Sequence, residues 1–230
     1  ESQETKFGVV AIENSLEGIV NQTYDLFLKY DLKVCGEVIV KIDHCLIANP
    51  NTKLDEVEAV YSHPQALAQC RNFLERLGRE LIPTYDTAGS VKMLKEKGLK
   101  NAAAVASESA AGIYGMKILA KDIADHPENY TRFFVLSKED SALTGSDKTS
   151  IIFSAAHQPG SLYNALGEFA KRNINLMKIE SRPTNQAPWE YNFYLDFEGH
   201  RTEKRCEEAL KALEKYAVFV KILGSYHKAV

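Results

Sequence analysis

Cysteine, tryptophan and methionine are scarce in this 230-residue chain, at four, one and three. The four cysteines, Cys35, Cys45, Cys70 and Cys206, show no CxxC spacing and no pairing with histidine, which argues against zinc. They read instead as reduced, buried thiols of a cytoplasmic protein. No lysine-arginine run occurs and the net charge is −3, so neither nucleic acid nor an anionic membrane is expected as the main partner. No apolar stretch approaches the roughly 20 residues of a membrane helix. The first six residues are polar and do not resemble a signal peptide. The absence of a glycine-rich phosphate loop disfavours nucleotide cofactors. The histidines are scattered, so no Ser/His/Asp order can be assigned. The length suffices for one large core or two modest ones.

Up to about Leu136 apolar segments alternate with helical patterns. Phe7 to Ile12 is a near-continuous apolar run, which predicts a strand buried on both faces. A helix is expected near 22–29, an extended segment over 32–47, and a short strand at 58–61. Pro64 suits the first turn of a helix. Its stripe of Leu67, Cys70, Leu74 and Leu77 has spacings of three and four and stops at Gly78. Leu81-Ile82 then reads as extended. A helix through Val91 and Leu94 ends at Gly98, followed by a strand at 102–106, a short helix from Glu108 and a last strand at 131–136. This alternation predicts a parallel α/β sheet.

Residues 138–148 are polar and read as an interdomain linker. Beyond them the pattern is strand 149–157, helix 159–172, strands 174–183 and 190–198, helix 203–216 and strand 218–226. That is βαββαβ, a ferredoxin-like unit. Leu162, Leu166, Phe169 and Ala170 share one helix face; Cys206, Leu210, Leu213 and Ala217 share the other. Tyr191, Phe193, Leu195 and Phe197 alternate with Asn192, Tyr194, Asp196 and Glu198, as in an antiparallel sheet with one packed face. Two domains are therefore expected, 1–138 and 149–230.

Chemistry is sought where strands run into helices. Glu13-Asn14-Ser15, Ser62-His63-Pro64-Gln65, Thr87-Ala88-Gly89-Ser90 and Ser107-Glu108-Ser109 all occupy such places. In a parallel sheet they fall on one edge, where ligands bind. Helix N-termini hold anions through free N–H groups, and Ser and Thr hydroxyls add donors. Such a cleft suits a small carboxylate or keto acid. The plainer reading of each site is an ordinary helix N-cap.

Taken in order, Ile12-Glu13-Asn14-Ser15 with Glu17-Gly18, Thr23-Tyr24-Asp25-Leu26, Ser62 to Gln65, Thr87-Ala88, Ala106-Ser107-Glu108 and Thr131-Arg132-Phe133 resemble the prephenate dehydratase family over nearly the whole chain. The second half resembles an ACT regulatory domain, through Gly160-Ser161-Leu162 and Glu180-Ser181-Arg182-Pro183. In the first of these motifs Ser161 stands where alanine is usual. The resemblance implies a periplasmic-binding-protein-like catalytic domain of two α/β lobes, then the ACT unit. It implies decarboxylative dehydration of prephenate to phenylpyruvate, without cofactor or metal, and feedback by L-phenylalanine held across a homodimer or homotetramer interface by 160–162 and 180–183.

The leading catalytic residue implied is Thr131, with Arg132 and Phe133 beside it; Glu13, Asn14, Ser15, Thr23, Ser62, His63, Gln65, Thr87 and Ser107 are expected on the substrate. Thr131 Oγ is expected to donate to the departing hydroxide. Glu13 is a rival acid if it lies between apolar walls. Arg132 reads equally as a structural partner of an Asp or Glu below the site, and Phe133 as core. Family members carry a Gly-Pro-x-Gly-Thr-type loop before the Glu-Asn-Ser segment, so the first lobe is expected to be incomplete in this sequence. Three other readings stay open: preference for arogenate, a non-catalytic amino-acid sensor, and the C-terminal part of a longer enzyme with chorismate mutase upstream.

Overall fold

Residues 1–40 with 131–230 form one unit of the computed structural model, and residues 41–130 form a second. The structure describes residues 5–184 and 190–229. The chain begins with β1 (Gly8–Asn14), β2 (Gly18–Ile19), α1 (Asn21–Lys29), β3 (Lys33–Lys41), β4 (Cys45–Ala48) and β5 (Ala59–Ser62). Next come α2 (Pro64–Gln69), α3 (Arg71–Leu77), β6 (Glu80–Pro83), α4 (Thr87–Lys97), β7 (Ala102–Ala106), α5 (Glu108–Tyr114) and β8 (Lys117–Ala120). The last elements are β9 (Tyr130–Ser137), β10 (Asp147–Ala155), α6 (Ser161–Ala170), β11 (Leu176–Pro183), β12 (Tyr191–Glu198), α7 (Lys204–Leu213) and β13 (Ala217–His227).

In the unit 41–130 the sheet order is β6-β5-β7-β4-β8. Strand β5 is parallel to β6 and β7, whereas β4 is antiparallel to β7 and β8. The expected wholly parallel sheet is therefore corrected to a mixed one. Helical crossovers keep β5, β6, β7 and β8 running one way. Strand β4, which has no such crossover before it, lies between β7 and β8 in the opposite sense. Helices cover both faces: Leu46, Val60, Leu74 and Val105 belong to one core, Ile47, Val91, Leu94 and Ala104 to the other. Strand β7, Ala-Ala-Ala-Val-Ala, is buried throughout, as a central strand with two covered faces should be. The single helix expected after Pro64 is broken at Cys70 into α2 and α3. Gly78 closes α3 in the left-handed conformation, as its place after the apolar stripe predicts.

The other unit contains two four-stranded sheets, β2-β1-β9-β3 and β11-β12-β10-β13. The second is antiparallel where β10 meets β12 and β13 and where β11 meets β12, and its βαββαβ order is ferredoxin-like. Helices α6 and α7 cover one face through Ala165, Phe169, Leu210 and Leu213 against Phe153, Leu195 and Phe197. Ala170, expected in this core, is exposed, and Ala165 takes the inward position.

The opposite face of that sheet is covered as well. Ile152, Tyr194, Leu223 and Tyr226 pack with Ile12, Phe134 and Leu136 of the first sheet and with Tyr24 and Phe27 of α1. Phe134 and Tyr226 meet edge to face, 5.6 Å between ring centres. Each fully buried side chain of this size contributes roughly 1.5–3 kcal/mol. Hence the polar residues of β12 do not face water: Asn192, Tyr194 and Asp196 are all buried. Strand β1, by contrast, is not covered on both faces, since Phe7 and Val9 are exposed. Only its Ile12 side meets this core. Gly224 allows the close approach, because a Cβ there would lie 2.0 Å from the Val34 carbonyl oxygen of β3. Within the stretch read as a linker, Asp147 and Lys148 already belong to β10 and are buried. Three of the cysteines are buried, but Cys35 is only partly so, because its thiol reaches the Val135 carbonyl near the uncovered face.

Candidate active site

Antiparallel register places Asn14 opposite Thr131 and Glu13 opposite Arg132, after a bulge between Ala11 and Glu13. Cross-strand partners share a sheet face, so these two pairs point to opposite sides. Asn14 Nδ2 donates to Thr131 Oγ1 at 3.0 Å. Asn14 Oδ1 accepts from the backbone N–H of Leu16 at 3.0 Å and of Glu17 at 3.1 Å. Two backbone donors on the oxygen fix the amide orientation, since the nitrogen cannot accept from them. The Thr131 oxygen is thus supplied with a donor, and its own proton is directed elsewhere. That is the arrangement a hydroxyl needs to donate to a leaving group.

Glu13 does not lie between apolar walls. Its Oε2 is 2.8 Å from Lys178 Nζ and 3.7 Å from Arg132 Nη1. The condition for its acting as a retained acid is absent, and this corrects that expectation. Lys178 also donates to the Tyr24 hydroxyl at 2.9 Å and sits over the Tyr24 ring. Burial, followed by the charges of Asp196 and Glu13, pushes the Tyr24 hydroxyl far above its ordinary range, so it stays protonated. Ser15 is exposed in the turn after β1. Thr23 donates to the Ala11 carbonyl at 2.8 Å and thereby ties α1 to β1.

Arg132 points away from Thr131, into the layer shared with the ferredoxin-like sheet. Its Nε meets Glu37 Oε2 and its Nη1 meets Asp196 Oδ2, both at 2.6 Å, and Nη2 donates to Tyr226 at 3.1 Å. Lys148 Nζ adds a second cation to Glu37 at 2.8 Å. Ser150 joins Asp196 and Tyr226. Burial alone would lower the Arg132 pKa; Asp196, Tyr226 and Glu37 outweigh it and keep the guanidinium charged. Burial likewise would raise Glu37, but Arg132 and Lys148 hold it below its usual value. Of the two readings of Arg132, the geometry supports the structural one. Phe133 is half-buried on the Thr131 side of the strand, and the core residue is its neighbour Phe134.

Three of the four strand-to-helix turns fall on one edge of the sheet in 41–130, because β6, β5 and β7 are parallel neighbours. There the capping reading holds for His63 and Ser107 but not for Ser62 or Thr87. Ser62 is fully buried and its hydroxyl donates to the Val105 carbonyl at 2.7 Å, which removes it from any ligand. His63 caps α2 by accepting from the Gln65 N–H at 3.2 Å, and Gln65 is exposed. Thr87 opens α4, but the cap is Asp86, whose carboxylate accepts from the Gly89 N–H at 2.9 Å. Ser107 caps α5 through the Ala110 N–H and is exposed.

In the ferredoxin-like sheet a cavity of about 490 Å³ is lined by Pro159, Leu162, Tyr191, Phe193 and Val218 among others. Gly160 precedes α6 at φ +82°, a conformation that favours glycine. Ser161 is buried at the first turn. Segment 180–183 does not line this cavity. Strand β11 alternates, with Ser181 and Pro183 exposed and Glu180 and Arg182 turned inward. Arg182 Nη1 donates to the Asn21 carbonyl at 2.7 Å and to Asp25 Oδ1 at 2.8 Å. Its guanidinium thus ties β11 to α1.

Sequence reasoning missed Glu37, Lys178, Asp196 and Tyr226. A signal for Asp196 and Tyr226 existed: each sits in an apolar strand at a position that alternation assigns to the second face. Among the described residues no group of His, Cys, Asp or Glu could hold a metal ion. No helix there is long and apolar enough to cross a membrane.

A family model described as prephenate dehydratase matches residues 1–141, and one described as ACT domain matches 149–215. The chain is 47% identical over 233 residues to a bifunctional chorismate mutase/prephenate dehydratase of Aquifex aeolicus, covering 100% of this chain and 63% of that protein. A solved structure described as prephenate dehydratase in complex with L-Phe from Arthrobacter aurescens is 35% identical with a TM-score of 0.87, covering 98% of this chain and 76% of that one. Another, described as GqqA, a novel type of quorum quenching acylase, is 32% identical with a TM-score of 0.87, covering 98% and 83%. The chain spans about three fifths of the length of the curated relatives it matches. The expected fold class, a periplasmic-binding-protein-like α/β part followed by an ACT unit, agrees with these matches.

Proposed function

The chain belongs to the prephenate dehydratase family, and from that premise we propose that it converts prephenate to phenylpyruvate and is restrained by L-phenylalanine at its ACT half. The observation that carries the catalytic part is the locked Asn14 amide donating to Thr131 Oγ1. In the reaction the bond from ring to carboxylate breaks and leaves CO2. Its electron pair enters the ring, the ring C–OH bond breaks, and the departing hydroxide takes one proton to become water. Aromatisation drives the step, and no cofactor is called for. The proton crosses from Thr131 Oγ while the same hydroxyl takes one relayed by water from solvent, so that the net proton comes from solvent and neither alkoxide nor hydroxide is left; a threonine hydroxyl is too weak an acid to give its proton up unaided. Asn14 keeps the hydroxyl aimed throughout.

Substrate-holding roles belong in this reading to His63, Gln65, Thr87 and Ser107, beside Asn14 and Ser15. The functional division falls at 1–138 and 149–230, in a cytoplasmic homodimer or homotetramer. The effector seat in this reading is Gly160, Ser161 and Leu162 of one protomer with Glu180, Ser181, Arg182 and Pro183 of its partner. The test is phenylpyruvate formation from prephenate by the full chain, with arogenate in a parallel arm, each with and without phenylalanine. Turnover of prephenate suppressed by phenylalanine supports both halves. Turnover of arogenate alone moves the substrate to the amino-acid analogue. No turnover of either, with phenylalanine still bound in calorimetry, leaves a sensor and overturns the catalytic half.

A further inference from the structure

Strand β11 works on two sides. Met177, Ile179, Ser181 and Pro183 face outward and are exposed, while Lys178, Glu180 and Arg182 face inward. On the inner side Lys178 Nζ holds Glu13 Oε2 at 2.8 Å and the Tyr24 hydroxyl at 2.9 Å. Arg182 holds the Asn21 carbonyl and Asp25. All four partners lie on β1 or α1. The regulatory sheet therefore grips the strand end that carries Asn14 through Lys178, and the following helix α1 through both cations. Glu13 is the neighbour of Asn14 in the chain, and Asn14 donates to Thr131 Oγ1 at 3.0 Å. Three links join the lysine of one half to the hydroxyl of the other.

We propose that Lys178 is a positioning residue contributed by the regulatory sheet: it sets Glu13, and through Glu13 the Asn14 amide that aims the Thr131 hydroxyl. A ligand that changes the set of β11 then changes turnover through this lysine. The inference deepens the function proposed above and rests on it. Its physical content is a coupling between two sites, and such coupling is reciprocal in binding. Charge on Lys178 is the required feature, since its ammonium holds Glu13 and sits over the Tyr24 ring.

The experiment uses Lys178→Met, which keeps the stem and removes the charge, and Lys178→Arg, which restores the charge. Lys178→Met is expected to lower kcat about tenfold or more, as a slight misplacement of a catalytic group does, with KM for prephenate within about twofold. Phenylalanine still binds in calorimetry, but its suppression of turnover fades. Lys178→Arg is expected to recover both. Glu13→Gln breaks the same ion pair from the other side and gives the same loss of coupling if Lys178→Met does not fold. A second measurement needs no turnover: phenylalanine affinity with and without phenylpyruvate. In the unaltered protein the two affinities differ by about 5–150-fold, and in Lys178→Met they converge. Coupling that persists undiminished in both variants overturns the proposal, as does an unaltered protein that shows none. No turnover of prephenate by the unaltered protein overturns the dehydratase reading and the aiming of Thr131 with it, whereas turnover with undiminished coupling in both variants overturns this proposal alone.

Discussion

Asn14 and Thr131 are directly opposite each other across β1 and β9, and the Asn14 amide nitrogen donates to the threonine hydroxyl oxygen at 3.0 Å. The amide cannot turn round, because its oxygen holds the N–H groups of Leu16 and Glu17. Thr131→Ala is expected to lower kcat for phenylpyruvate formation by about 10²–10⁴, the usual worth of a positioned proton donor. Asn14→Asp reverses the polarity of the pair, since a carboxylate accepts the threonine proton. Its kcat is expected to fall by about 10² or more. Steady-state assays read both, and a kcat close to that of the unaltered protein in Thr131→Ala removes threonine from the chemistry.

Glu37 anchors a buried cluster with Arg132 and Lys148. Replacing it by Gln leaves Lys148 without its carboxylate and Arg132 with that of Asp196, at a cost of about 3–5 kcal/mol near neutral pH. The pH dependence has a definite sign. Its folded pKa lies below the ordinary 4.5, so its stabilisation is complete above about pH 4.5 and is lost as pH falls through the folded value. Urea unfolding from pH 7 to pH 3 should show the gap between the protein and Glu37→Gln narrowing at the acid end. A gap of constant size contradicts the assignment.

Ser62 and Ser107 separate packing from function. Ser62→Ala removes a buried hydroxyl bond to the Val105 carbonyl and is expected to cost about 1 kcal/mol of stability with KM unchanged. Ser107→Ala removes an exposed cap, costs about 0.5–2 kcal/mol, and in the proposed reading also raises KM for prephenate. Melting curves and KM values for the two variants decide it. A raised KM in Ser62→Ala is the outcome that restores Ser62 to the substrate.

Gly224→Ala places a Cβ 2.0 Å from the Val34 carbonyl oxygen. Backbone on both sides leaves little room for adjustment, and a loss of about 3 kcal/mol or more is expected. Thermal unfolding reads this directly. Unchanged stability means that β13 and β3 do not approach as closely in solution.

The sequence on its own determined most of the elements, because their signals are local. Pro64 at a helix start, Gly78 and Gly98 at helix ends and the alternation of Tyr191 to Glu198 each act within a few residues. The βαββαβ order followed from them, whereas Thr131 came forward only through the resemblance of the combined motifs to the family. Other features had no local signal. That β4 runs antiparallel between β7 and β8 depends on which strands meet, not on its own residues. The fate of Arg132 was undecided for the same reason. Glu37 reaches it from the adjacent strand β3, 95 residues away in the chain, and only the packing of the second sheet brings Lys148, Asp196 and Tyr226 to the cluster. Arg182 looks like a member of a regulatory motif in the sequence and Lys178 carries no signal at all, yet their charges close on Asp25 and Glu13. A buried charge must find its counter-charge wherever the fold supplies one, and that pairing is decided by tertiary structure alone.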